Sequence, residues 1–271
     1  MRHVTLEVGG RRWKTAIDDA VHLSIRLDFD GEQPNAFGLP EATAEPIVYD
    51  GSVSDTEQGG PFNCQSLNLI PHGNGTHTEC AGHLLSDDVV IGGLVDEKLI
   101  PASLLTVDPA KLGQTDESYG ETGDRADDVI TREALASAAS HLGIPEGFLR
   151  SLVIRTTPNF DIKRSRKHSG TNPPYLTLEA TEWLVENDVE HLLIDLPSVD
   201  REEDEGKLLN HSAFWGLASE EKRPNRGTIT EMIFVPRSVP DGVYFVDIEV
   251  PDFALDSAPS RPLLFEAVPI D

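Results

Sequence analysis

The sequence predicts an α/β fold, one domain over residues 1–271 with a mixed β-sheet flanked by helices. Three observations carry this prediction. The 271 residues are 38% hydrophobic and 25% charged, an ordinary globular composition with enough apolar surface for a core. Two helical segments begin at capping threonines, and each stands beside a short apolar run of strand character. The last third returns to β patterning with no clear linker, internal repeat or low-complexity tract.

Taken in order, residues 4–8 and 11–15 flank Gly9-Gly10, a pair that accepts the positive φ of a tight turn, so 1–20 reads as an N-terminal hairpin. Residues 21–27 alternate apolar and polar side chains, the pattern of a half-buried strand. Residues 30–60 are a long connection rich in Gly, Pro and Asn. Connections of that length act as lids or contact arms, and Gln33-Pro34-Asn35-Ala36-Phe37-Gly38 lies within this one. The acidic, glycine-containing stretch 116–128 reads as an exposed loop. Thr131 caps a helix running through Ala134, Leu135, Ala138 and Ala139 to His141, stopped at Gly143. Thr177 caps a second over 178–186, ended near Asn187. Residues 148–156 read as a strand beside the first helix, and 191–196 is a short, mostly apolar run, as a buried central strand is. Strands are expected again over 228–235 and 242–250, with Pro236 and Pro240 breaking between them.

Charge excludes several partners. Against 22 Lys and Arg stand 47 Asp and Glu, a formal net charge of −25. Such a chain is repelled by nucleic acid and by anionic lipid, so neither is expected as a partner. The basic residues divide into 7 Lys and 15 Arg. Low lysine with excess acid fits a protein working in concentrated salt, where the Debye length shrinks to roughly 3 Å at 1 M and self-repulsion is screened. On that hypothesis the thermal midpoint rises as salt is raised from 0.1 M to 1 M and above; a midpoint that stays level or falls refutes it. No long apolar stretch opens the sequence, and the apolar run 89–95 is far short of a membrane span, so a cytoplasmic location is expected. Cys64 and Cys80 are too few for a disulfide scaffold and read as free thiols.

Three of the nine histidines fall within twelve residues, in Pro71-His72-Gly73-Asn74-Gly75-Thr76-His77-Thr78-Glu79-Cys80-Ala81-Gly82-His83. Glycines let this backbone fold tightly, so side chains close in sequence can converge. His77 and Glu79 are two apart and share a face if the segment is extended. Imidazole nitrogen with carboxylate oxygen suits zinc, manganese or ferrous iron in an open, catalytic type of site; the alternative is solvated loop histidines. His3, His22, His141, His168 and His191 read as structural or surface residues. The acidic run 201–205 reads as a solvated loop. Trp215 and Phe37 belong either to the core or to a substrate cavity.

The histidine segment resembles the metal-binding signature of the cyclase family, the group that includes bacterial kynurenine formamidase and isatin hydrolase. That signature runs His, two residues, Thr, His, one residue, Asp, three residues, His. Gly75-Thr76-His77-Thr78-Glu79 and His83 follow it in order and spacing, with Glu79 in place of Asp. Further stretches resemble the family in the right order: Leu23-Ser24-Ile25, Arg155-Thr156, Leu178-Glu179-Ala180, the block Ile194-Asp195-Leu196-Pro197-Ser198-Val199-Asp200, then His211, Glu231 and Asp256-Ser257-Ala258-Pro259-Ser260-Arg261. The resemblance covers roughly residues 20 to 265.

The resemblance implies the family's swivelling β/β/α fold and one or two divalent metals, zinc or manganese. His72, His77 and Glu79 would be ligands, and His211 and Glu231 would hold a second metal or the far side of the first. His83 would be the general base or acid, with Glu231 counted in both the metal and the catalytic sets. The implied reaction is hydrolysis of a C–N bond in an amide, formamide or lactam. A non-catalytic metal or small-molecule binding member, and a cyclase or lyase, are the alternatives; the free histidine at position 83 favours the enzyme. The family commonly forms homodimers or homotetramers. Without the resemblance, His211 reads as a helix-face or cap-adjacent residue, and Glu231 as a solvent-facing strand residue unless it points inward, where it needs a partner such as a metal. Asp195 and Asp200 read either as orienting residues or as loop and cap residues. Three departures mark a divergent branch. His72 to His77 spans five positions where the family has four, as if a residue near Asn74 were inserted; Glu79 is one methylene longer than Asp; and Cys80-Ala81 replaces Ala-Pro.

Overall fold

The computed structural model describes residues 2–85, 89–217 and 226–270. Nine strands form one mixed sheet. In spatial order they are Ser257–Pro259, His77–Glu79, Thr228–Glu231, His191–Ile194, Ser151–Thr156, Ile100–Val107, Gly242–Glu249, Arg261–Glu266 and Val21–His22. The four strands from Thr228–Glu231 to Ile100–Val107 are mutually parallel, and both flanks are antiparallel. The sheet curls on itself: Ser24, just past the last strand, bridges Ile233, just past Glu231, and Phe234 N donates to Leu23 O at 2.7 Å.

Period-two alternation sends each central strand into two cores. Leu152, Ile154, Leu192, Ile194, Leu105 and Val107 pack against the helices, whereas Val153, Leu193, Ile100, Ala102 and Leu104 fill the inside of the curl. Both faces are buried, which is why 191–196 reads as a mostly apolar run. Helices α1 (Arg132–Leu142) and α2 (Leu178–Glu186) stand where the caps place them. Thr131 Oγ1 accepts from Ala134 N and Thr177 Oγ1 from Ala180 N, each at 3.1 Å. Gly143, at φ 62°, ends α1 in the left-handed region that glycine enters without strain. The N-terminal hairpin pairs His3–Val8 with Arg11–Ala16 and lays Trp13 edge-on against Phe148, with ring centroids 4.6 Å apart.

Two long strands escape the sequence reading. Ile100–Val107 and Arg261–Glu266 carry Pro101 and Pro262 near their starts, where a missing N–H is tolerated but the strand signal is broken. A third helix, α3 (Leu209–Phe214), has six residues, too few to show a period. The connection over 30–60 holds short antiparallel pairings, Thr43–Pro46 with Gln65–Asn68 and Val48–Tyr49 with Ser52–Val53, and leaves Val48 and Tyr49 69% exposed. The acidic run 201–205 is only partly a solvated loop. Asp204 is buried and accepts from Tyr119 Oη and from the amides of Gly206 and Leu208, while Arg201 pairs with Asp127 at 2.8 Å. Cys64 is exposed, Cys80 is buried and both are free. Among the described residues no helix is long and apolar enough to cross a membrane.

Burial has a consequence for acid stability. His168 and His191 are buried, and burial pushes both imidazoles down to about 4. The unfolded chain binds those protons near pH 6.5, so between pH 6.5 and 4 it holds more protons than the native state, and stability falls as pH drops. The loss between pH 7 and 5 is about 2 kcal/mol for each ring. In urea titrations at the two pH values, His191→Gln should lose less stability than the parent chain. Equal losses would contradict the assignment.

Candidate metal centre

The His77–Glu79 strand lies between Thr228–Glu231 and Ser257–Pro259, antiparallel to both. Alternation turns His77 and Glu79 to one face, and the register sets Glu231 opposite His77 on that face. Thr78, on the other face, meets Thr230 Oγ1 at 2.8 Å. Residue Met232, immediately after Glu231, takes φ 51°, an uncommon conformation for a side chain of its size; its carbonyl accepts from Thr76 Oγ1 at 2.6 Å. This local strain fixes the chain where Glu231 leaves its strand.

The remaining groups arrive on short turns. His72 sits in the 3-10 turn Pro71–Gly73 and His83 in Ala81–His83. Asn74, in the lengthened stretch, closes the turn around itself: its Oδ1 accepts from Ile70 N at 2.6 Å, and its Nδ2 donates to Pro40 O at 2.8 Å. Gly75 then takes φ 137°, open to glycine, and redirects the chain into the strand. The extra residue is thus absorbed in the turn, and His72 Nδ1 lies 3.2 Å from Glu79 Oε2. His211 comes from α3. Asp200 accepts from the amides of Asn210 and His211 and lies 2.5 Å from His211 Nδ1, so one carboxylate caps the helix and orients the ring.

These groups converge. His211 Nε2 is 2.7 Å from Glu79 Oε1 and 3.7 Å from Glu231 Oε1, and His77 Nε2 is 3.5 Å from Glu231 Oε2. Glu231 Oε1 also accepts from Val199 N at 2.9 Å. The His72 and His83 rings are 4.3 Å apart, and His83 lies 5.7 Å from His211. Among the described residues three ligand sets follow: His72, His77 and Glu79; Glu79, His211 and Glu231; and His72, His83 and Asp256. The side chains of His77, Glu79, His211 and Glu231 are at most 3% exposed, whereas those of His72, His83 and Asp256 are 23–32% exposed, so the cluster opens to solvent on the His83 side.

Electrostatics match the geometry. Burial favours neutral imidazoles, yet Glu79 and then Asp256 outweigh it and push His72 up to about 9. His211 is likewise buried, and Glu79 with Asp200 holds it well above the usual range. Burial opposes ionisation of Glu79, but His211 and His72 hold its carboxyl well below the usual range. Four carboxylates around four imidazoles therefore select positive charge, which either imidazolium protons or a divalent cation can supply.

A cation fits these residues. His77 Nε2 and Glu79 Oε2 are buried, facing Glu231 Oε2 at 3.5 Å and His72 Nδ1 at 3.2 Å, yet neither makes a hydrogen bond among the described residues, an arrangement that is costly unless a ligand completes it. His77 Nδ1 is held 2.9 Å from Gly75 O, which leaves Nε2 pointing into the cluster. Imidazole and carboxylate donors without cysteine suit an open site for zinc or manganese.

The sequence-predicted residues His72, His77, Glu79, His83, His211 and Glu231 thus stand together. Asp200 is both cap and orienting residue. Asp195 stands apart, paired with buried Lys163 at 2.7 Å and accepting from Thr156 N. Trp215 is fully buried, its Nε1 donating to Gly227 O, with its ring 5.2 Å from His211. Phe37 is 39% exposed at the rim of a small cavity shared with His168, Ser198 and Asp200. Asp256 was missed as a site residue. Its signal was its place at the head of Asp256-Ser257-Ala258-Pro259, a segment whose pairing with His77–Glu79 no sequence pattern states.

A family model described as "Putative cyclase" matches residues 19–201; it contains His72, His77, Glu79 and His83 and ends before His211, Glu231 and Asp256. Solved structures share the fold. A predicted metal-dependent hydrolase from Bacillus stearothermophilus is 18% identical, with 91% of this chain and 98% of that one covered at a TM-score of 0.56. An isatin hydrolase bound to the product analogue thioisatinate is 16% identical, with 93% of each chain covered and a TM-score of 0.60. Isatin hydrolase A from Ralstonia solanacearum is 14% identical, with 91% of each covered and a TM-score of 0.61. No curated protein matches the sequence.

Proposed function

This chain belongs to the cyclase family, and from that premise we propose that it is a metal-dependent hydrolase of a C–N bond in a neutral or zwitterionic amide, formamide or lactam. The observation that carries the reading is the pair of buried atoms without a hydrogen bond, His77 Nε2 and Glu79 Oε2, which face Glu231 and His72 beside the partly exposed ring of His83. His72, His77, Glu79, His211 and Glu231 would hold zinc or manganese, one ion or two. Such a cation, when bound, polarises a carbonyl and lowers the pKa of water from 15.7 toward about 7.

The chain's own residues supply the rest. The solvent-facing side next to His83 admits the substrate, and the closed side behind His77 and Glu231 excludes water. His83 takes the proton from the attacking water and delivers it to the leaving nitrogen as the C–N bond breaks, giving a carboxylate and an amine. Asp200 holds His211 in one orientation while this happens. The net charge of −25 disfavours strongly anionic substrates at long range. The exposed Val48 and Tyr49 support a homodimer or homotetramer, which light scattering measures.

The test is a screen of N-formyl aromatic amines and cyclic amides with zinc- or manganese-loaded protein, with and without chelator. Hydrolysis that the chelator removes is expected. Hydrolysis insensitive to chelator, or none with any substrate of either class, would overturn the reading.

A further inference from the structure

Asp256 stands at the edge of the cluster and is used by nothing in the mechanism above. Its Oδ2 is 2.8 Å from His72 Nε2 and 3.1 Å from His83 Nδ1, so one oxygen meets two rings. Its backbone carbonyl accepts from Cys80 N at 3.0 Å, which ties this segment to the histidine loop independently of the side chain. Ser257 Oγ lies 2.9 Å from the same His72 nitrogen. A carboxylate only accepts hydrogen bonds, so both ring nitrogens that face it carry hydrogen. In a neutral imidazole the other nitrogen is then a lone pair. For His72 that nitrogen is Nδ1, 3.2 Å from Glu79 Oε2; a cation held between these two atoms would take the place of the hydrogen that the carboxylate otherwise demands, and both belong to the set with His77. For His83 it is Nε2, left free beside the cluster.

We propose that Asp256 is a positioning residue that sets two tautomers at once, leaving His72 Nδ1 as the lone pair that binds the cation and His83 Nε2 as the lone pair that accepts the proton. This rests on the metal-dependent reading above. It adds a mechanical link: cation affinity and proton transfer depend on a single carboxylate, because its two partners serve the two functions. The close approach of the rings, with centroids 4.3 Å apart and planes tilted by 32°, lets one acceptor serve both. Asp256 also stands 32% exposed at the solvent side, so its role is orientation and not closure of the core.

The experiment compares the parent chain with Asp256→Asn and Asp256→Glu, each loaded with zinc. Two-bond proton–nitrogen NMR of the imidazoles reads the tautomers directly. The parent should show hydrogen on His72 Nε2 and on His83 Nδ1. Asp256→Asn should lose the His83 Nδ1–H form and bind zinc 10- to 100-fold more weakly by chelator competition, the usual effect of removing a ligand's hydrogen-bond partner. At saturating zinc its kcat should fall while KM holds, and Asp256→Glu should restore the tautomers and part of the affinity. Unchanged tautomers and unchanged zinc affinity in Asp256→Asn would overturn the proposal. That result differs from failure of the metal reading itself, in which the parent chain would bind no zinc at the cluster.

Discussion

Glu79→Ala should empty the metal centre and remove hydrolysis. Glu79 belongs to two of the three ligand sets, one with His72 and His77 and one with His211 and Glu231. Its two oxygens face different rings, Oε1 at 2.7 Å from His211 Nε2 and Oε2 at 3.2 Å from His72 Nδ1. No other carboxylate among the described residues belongs to both of these sets. Zinc stoichiometry should drop to background at micromolar metal, and kcat/KM should fall by about 10³-fold or more, since the Lewis acid supplies several kcal/mol of transition-state stabilisation. Glu79→Asp is the control. It keeps the charge and returns to the residue type that the family signature carries, so it should retain zinc where alanine does not. Parent-like zinc content in Glu79→Ala, measured by mass spectrometry of dialysed protein, would contradict the assignment.

His83→Ala should separate chemistry from binding. The ring is half-exposed beside the buried cluster, and it belongs only to the outer ligand set. Loss of a general acid–base group costs on the order of 10²- to 10⁴-fold in kcat. Zinc content should stay at the parent value, because His77, Glu79, His211 and Glu231 are untouched. If zinc content falls with kcat, His83 is a ligand and not the base. If kcat is unchanged, the proton is moved by another group.

Both variants test residues that were readable before the fold was. His77, Glu79 and His83 lie within one turn-rich segment, where glycine spacing and residue type carry the signal together. His211 and Glu231 are far away in sequence; only the ordered resemblance to a family brought them in, because nothing local distinguishes a histidine on a six-residue helix from a surface histidine. Asp256 was out of reach for a related reason. Its partner strand pairs across a sequence separation of more than 170 residues, and sheet register is a tertiary fact. The helices were legible because threonine caps and a glycine stop are local chemistry. Ile100–Val107 sits at the centre of the sheet yet went unread, because Pro101 near its start imitates a breaker. The effect of Asn74 likewise needed the structure, since one of the two hydrogen bonds that absorb the extra residue, from its Nδ2 to Pro40 O, reaches a segment over thirty residues upstream.

The acidity takes on a narrower meaning. Glu79, Glu231, Asp200 and Asp256 are the carboxylates that meet the imidazole cluster. Others are structural, such as Asp195 against Lys163 and Asp127 against Arg201. The remaining surface acids set solubility and response to salt rather than chemistry.

The most direct measurement is an anomalous difference map from crystals soaked in zinc. The account predicts a peak between His77 Nε2 and Glu79 Oε2, within about 2.0–2.2 Å of both after adjustment, with His72 Nδ1 or His211 Nε2 completing the set. A map with no peak there, or one whose peak lies only at His83 and Asp256, would contradict it.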